Sequence, residues 1–418
     1  MMRQELLDRF FRYVKIDTQS QEDVEDRYPS TEKQKVLCSL LVEELQELDL
    51  RDARMDEYGY VTATYPGNLP DDKAANVPVI GFLGHVDTSP EVSGNNVKPI
   101  LHRNYQGGDI VLPGDVTQII REEENPDLRD YIGEDIITSD GTTLLGADNK
   151  AGIAEIMTFL SMLNNRPEIP HGTLRICFTP DEEVGKGTEH FDVKDFGADY
   201  AYTIDGGRVG DVENETFNAA VAVFTITGIN VHPGYAKDKL INSCRMAGEI
   251  VTEIKDDPSP ETTEDRQGFL HPYVMNGGVE RTVLKILLRD FEVKGIKCMQ
   301  KRLEDIQKKL QQKYPRAGID LEIKHQYPNM RFELDREPRV VEYALEAVKR
   351  AGLEPRLQIV RGGTDGAILC QRGLLTPNIF TGGMNFHSKL EWIPVRAMEK
   401  AVDTLLHLVQ IWVEKSVE

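Results

Sequence analysis

Two rhythms of hydrophobic patterning run along this 418-residue chain, and their order limits the folds open to it. Up to about residue 215, helical and strand patterns alternate. A helical pattern at 31–48 precedes apolar strand patterns at 60–65 and 77–83. The stretch GADNKAGIAEIMTFLSML then reads as a helix with Ile153, Ile156, Met157 and Leu160 along one face, followed by the buried strands TLRICFTP and ADYAYTID. Strands alternating with helices predict an α/β domain whose central sheet is mostly parallel and covered on both faces. After Asn218 the order changes to strand (AAVAVFTITG), helix (240–254), two strands (HPYVMNGGV and TVLKILLRDF), helix (295–313) and strand (IDLEIKHQY). That βαββαβ order is the ferredoxin-like signature. Helix and strand patterns return from Glu337. The chain therefore predicts a discontinuous α/β domain, residues 1–216 and 330–418, interrupted by a ferredoxin-like domain at 217–329.

A chain of this length exceeds one ordinary core, in keeping with two domains. The formal charge of −21 repels nucleic acid and anionic membranes and suits small-molecule substrates. Cys38, Cys177, Cys244, Cys298 and Cys370 are scattered and contain no CxxC pair, which predicts reduced thiols in a cytoplasmic protein. The N-terminal stretch spaces Leu6, Leu7, Phe10, Phe11 and Val14 as an amphipathic helix with acidic residues interspersed, unlike the continuous apolar core of a signal peptide. Residues 89–140 are polar, proline-broken and loop-rich.

Chemistry gathers where the buried strands run out. In GHVDT, His85 and Asp87 share one face of a strand, with Cα atoms roughly 7 Å apart. A carboxylate so placed can fix one imidazole nitrogen and free the other for a metal. Asp148 in LLGADNKAG stands where a loop becomes a helix, a place an N-cap could also occupy. FTPDEEVG sets Asp181, Glu182 and Glu183 side by side, and such carboxylates repel unless exposed or neutralised by a cation. Asp205 in TIDGG follows another strand, and His387 lies in the glycine-containing loop FTGGMNFHSKLEW. Loops after strands are where open α/β sheets bind ligands, and zinc takes N and O donors of these types.

Taken in order, GHVDT, GADNKAG, TPDEEVG, TIDGG and NFHS resemble the motifs of the tripeptide aminopeptidases in the co-catalytic zinc peptidase and aminoacylase superfamily, over nearly the whole length. The resemblance implies two Zn2+ ions per subunit, one on His85 and Asp205, the other on Glu183 and His387, with Asp148 bridging them. It implies that Asp87 orients His85, that Glu182 is the general base for a hydroxide shared by the ions, and that His232 in GINVHPGYAKDK helps stabilise the oxyanion. Three ligating carboxylates and one hydroxide would balance the four positive charges. Arg361 in VRGGTDGAIL and Arg281 beside TVLKILL are candidates for gripping a substrate carboxylate, which guanidinium binds bidentately. The implied activity is removal of the N-terminal residue from tripeptides. The implied role of the inserted domain is a lid or dimerisation module, which makes a homodimer an open partner.

Other readings meet obstacles. VGKGT suggests a phosphate loop, but Pro180 and Gly187 occupy the positions where that loop needs glycine and Ser or Thr. A purely structural metal site gives Glu182 no purpose. A dipeptidase, an acylamino-acid deacylase or a carboxypeptidase would use the same metal centre, and the ligand motifs themselves do not choose among these amides.

Overall fold

The computed structural model describes residues 2–417, and the chain divides into two compact units. The first comprises residues 2–214, 332–358 and 364–417, and the second residues 215–331 with 359–363. The short return at 359–363, which includes Arg361, is a feature that sequence patterning does not reveal.

Unit one is built on an eight-stranded sheet. Its centre is parallel: Ile80–His85 lies between Leu174–Thr179 and Tyr200–Gly206, and Asn378–Phe380 follows Tyr200–Gly206. Every residue of Ile80–His85 is buried, as expected of a strand covered on both faces. Antiparallel strands flank this centre, so the whole sheet is mixed. The outermost, Arg51–Met55, is polar and mostly exposed, and lacks the apolar alternation that announces a strand. Between Ser89 and Asp140 the structure adds strands of only two or three residues, too short to show a period. The first helix, Met2–Tyr13, buries Leu6, Leu7 and Phe10 of the expected face together with Tyr13, while Phe11 is half-buried. All five cysteines are free thiols, and no described helix is long and apolar enough to cross a membrane.

The helix Ala147–Asn165 runs through the core with nearly every side chain buried. It packs so closely that a Cβ on Gly152 would sit 1.9 Å from the carbonyl oxygen of Ile204, so only glycine fits there. Glu155 on this helix is wholly buried, and neither carboxylate oxygen has a hydrogen-bond partner among the described residues. Burial holds its carboxyl well above the ordinary value of 4.5. The native state therefore binds this proton more tightly than the unfolded chain, and the associated stability is lost as pH rises above that value. Glu155→Met should raise stability by about 1–3 kcal/mol at neutral pH, since it removes an unsatisfied buried group at similar volume. In urea denaturation the gain should grow from pH 4.5 upwards; a gain absent at pH 7 would refute this account.

Unit two is a four-stranded antiparallel sheet in the order Phe269–Gly277, Arg281–Asp290, Asn218–Thr227 and Gly318–Tyr327. Alternate residues Ala220, Ala222, Phe224 and Ile226 meet Leu284, Ile286 and Leu288 in one core. The helix Val293–Lys313 covers them with Ile296, Leu303, Ile306 and Leu310, and Ser243–Glu253 with Met246 and Ile250. The latter helix starts later than periodicity suggests because Asn242 caps it, its Oδ1 accepting the N–H groups of Cys244 and Arg245.

Candidate metal centre

Parallel register brings the ends of three strands to one edge of the large sheet. His85 closes Ile80–His85 opposite Thr179, and Leu83 pairs with Thr203, two residues before Asp205. Glu182 and Glu183 lie in the turn Glu182–Val184 just after Leu174–Thr179. Asp148 occupies the second position of Ala147–Asn165, and Gly146 before it turns the chain with φ +83°. His387 lies in the loop between Asn378–Phe380 and Trp392–Pro394.

The side chains form two triads that share Asp148. In the first, His85 Nε2 is 2.9 Å from Asp148 Oδ1 and 3.4 Å from Asp205 Oδ1. In the second, His387 Nε2 is 3.3 Å from Asp148 Oδ2 and 2.8 Å from Glu183 Oε2. Within each triad the donor atoms all lie within 4.8 Å of one another. Asp87 is fully buried and works in two directions. His85 Nδ1 is 3.2 Å from its Oδ1 and 3.1 Å from its backbone oxygen, while its two carboxylate oxygens accept the N–H groups of Glu182 and Glu183 at 3.0 and 3.1 Å. One carboxylate thus orients the imidazole and places both glutamates. Glu182 belongs to neither triad and lines the same narrow cleft as His85, Asp205 and Asp365.

The electrostatics show how crowded with negative charge this edge is. Burial, reinforced by Asp148, pushes Glu183 up to about 8. Burial also holds Glu182 well above its usual range, with Asp205, Asp365 and Glu183 adding to the effect. Asp148 and Glu183 push His387 up to about 11. Burial opposes a charged His85, but Asp205, Asp148 and Asp87 outweigh it and hold the ring well above its ordinary value. Such a cluster calls for positive charge, which protons on the imidazoles provide and divalent cations could replace.

Comparison with known proteins gives this geometry a family. A match to the peptidase family M20/M25/M40 covers residues 140–411. The chain belongs to that family. Its M20 relatives include Peptidase T of Clostridium acetobutylicum, 47% identical over 99% of this chain and 100% of that one. Peptidase T of Halothermothrix orenii is 48% identical over 98% of this chain and 99% of its own length. Among solved structures, aminopeptidase PepT of Bacillus cereus shares the fold with a TM-score of 0.73 at 23% identity, covering 98% of both chains. A dinuclear metal-binding M20 peptidase of Bacillus subtilis shares it at 0.65 and 15% identity, covering 99% of both. Membership makes the protein a hydrolase of peptide bonds.

The donor set of this M20 peptidase suits a pair of divalent ions. Each triad offers one imidazole nitrogen and two carboxylates, leaving one position open on a four-coordinate ion. Glu183 Oε1 is buried without a hydrogen-bond partner among the described residues, an orphan that a cation would satisfy.

Several residues outside the two triads hold the strand ends and the helix start in place. Asn149 donates to Asp205 Oδ1 at 2.6 Å and to the Ile204 carbonyl at 2.7 Å, while its Oδ1 accepts the His85 N–H. Asp365 accepts from the Thr179 hydroxyl at 2.9 Å, and burial pushes it up to about 7. Lys150 is buried, is pulled down to about 7 by desolvation, and donates to the Ile16 carbonyl at 2.7 Å. Asp181 turns away from its two acidic neighbours at φ +59° and accepts hydrogen bonds from Ser30 and Gln34.

The remaining candidates belong to unit two. His232 is exposed, its Nδ1 accepting the Gly234 N–H at 3.1 Å. Arg281 is exposed at the start of its strand. Arg361 is a staple: Nη1 donates to the carbonyls of Asp265 and Gln267 and Nη2 to the carbonyl and hydroxyl of Thr263, with the guanidinium over the Phe217 ring. The four Nη–H donors of Arg361 are thus engaged within its own unit.

Proposed function

We propose that this M20 peptidase is a zinc-dependent aminopeptidase that removes the N-terminal residue of tripeptides. The observation that carries this reading is the pair of triads sharing Asp148, with a buried glutamate beside them that joins neither. The full-length relatives named Peptidase T support the substrate class. His85, Asp148 and Asp205 would hold one ion, and Asp148, Glu183 and His387 the other. The chemistry that bound zinc supplies here is acidification of water and polarisation of the scissile carbonyl. Glu182, which joins neither triad, takes the proton of the attacking water and passes it to the leaving amine. Asp87 keeps His85 Nδ1 engaged so that Nε2 faces the ion site. His232 and Arg281 carry over as substrate-binding candidates, whereas Arg361 is read as a staple of its own unit.

A panel of di-, tri- and tetrapeptides and N-acyl amino acids, assayed with and without chelator, tests the reading. Tripeptides should be cleaved fastest, the free N-terminal residue should be the first product, and chelator should abolish turnover until Zn2+ is restored. A preference for N-acyl amino acids, or turnover indifferent to chelator, would overturn it. The arginines separate on the same assay. Arg281→Ala should weaken tripeptides about tenfold more than their C-terminal amides, the scale of one charge-assisted hydrogen bond. Arg361→Ala should affect acid and amide alike and lower the melting temperature, because its bonds are internal. Matching profiles for the two variants would refute this division.

A further inference from the structure

The loop that carries His387 is closed at its base by Met384 and Trp392, which exchange backbone hydrogen bonds of 2.9 and 3.1 Å. Within it, the Ser388 hydroxyl donates to the Asn385 carbonyl at 2.7 Å and Asn385 Nδ2 to that of Leu390 at 3.1 Å. Glu391 sits at this base, 1% exposed, and its carboxylate reaches out of its own loop. Oε2 accepts the N–H groups of Leu145 and Gly146 at 2.8 and 2.7 Å, and Oε1 accepts that of Asp148 at 3.0 Å. The left-handed turn at Gly146 lets amides on both sides of the helix start converge on one anion. Ionised carboxylate suits this cradle because both oxygens accept and neither donates, while the start of a helix favours negative charge.

We propose that Glu391 is a positioning residue for metal binding, fixing the distance between Asp148 and His387. These two side chains belong to one triad yet lie on separate segments, and Glu391 joins the backbone of the first to the loop of the second. The inference rests on the two-ion reading above. Glu391 touches neither ion site directly. It ties the His387 loop to the main chain of Asp148, and since Asp148 serves both triads but His387 only one, its removal should loosen mainly the ion that needs His387. In Glu391→Gln one acceptor becomes an NH2 group, which would face a backbone N–H and push the two segments apart.

The test is a Co2+ titration of full-length, chelator-stripped protein, followed by calorimetry and by the visible absorption of the bound ion. Wild type should take up two ions, and the step missing from His387→Ala identifies the ion on Glu183 and His387. Glu391→Gln should weaken that step about 10–100-fold, the usual scale for a lost partner of a metal ligand, and change its visible spectrum. The step assigned to His85 and Asp205 should move much less. If Glu391→Gln does not fold, Glu391→Asp, whose carboxylate falls one methylene short, is expected to show the same selective loss. Two unchanged steps in a folded variant would overturn the inference. Parallel loss in both steps, the mark of general damage to the fold, would overturn it too. A wild type that takes up fewer than two ions removes the two-ion reading and this inference with it, and that result is visible before any variant is made.

Discussion

Glu182→Gln should lower kcat by about 10²–10⁴-fold while both ions stay bound, because a positioned general base contributes on that scale. The glutamine keeps the volume and the backbone bond to Asp87, so the turn that also carries Glu183 should hold its shape. What disappears is a group able to take a proton from water and release it to an amine. KM should change little, because a lost transition-state interaction shows in kcat and kcat/KM together. Metal analysis and steady-state kinetics on one preparation settle the matter. Normal turnover would exclude Glu182 as the base, and lost metal would instead make it a ligand.

The second large effect concerns the ion on the more open triad. His387→Ala should reduce bound zinc from two ions per chain towards one, measured by elemental analysis after dialysis. The substitution removes the Nε2 donor that faces Asp148 Oδ2 and Glu183 Oε2, leaving two carboxylates with no neutral ligand between them. His85 and Asp205 are untouched, so the first ion should persist. Turnover should fall along with the metal. Unchanged metal content would strike His387 from the ligand set.

His85, Asp148, Glu183 and Asp205 could be read from the sequence because they follow an apolar run or open a helix, where polar groups are costly without a purpose, while His387 stood out in a glycine-containing loop. The donor atoms of His85, Asp148, Glu183, Asp205 and His387 lie in two groups that share Asp148. Glu391, Asp365 and Asn149 could not be read the same way. Glu391 acquires its meaning from an amide 243 residues away, and no local period encodes that proximity. The triplet Asp181-Glu182-Glu183 raised a question of mutual repulsion that the fold relieves at Asp181 by sending it to Ser30 and Gln34, while Glu182 and Glu183 stay close enough to raise one carboxyl through the other. In the fold, long periodic segments were legible, whereas Arg51–Met55 and the two- and three-residue strands within 89–140 lacked the alternation that would reveal them.

The ammonium of Lys150, sunk two residues beyond Asp148, has the carbonyl of Ile16 as its anchor. The amino-terminal segment is thus part of the foundation under the ion cradle, although it supplies no donor atom to it. A protease nick ahead of residue 17 would leave that buried amine without its acceptor, and the harm should surface as poor zinc uptake in a protein whose histidines and carboxylates are all intact.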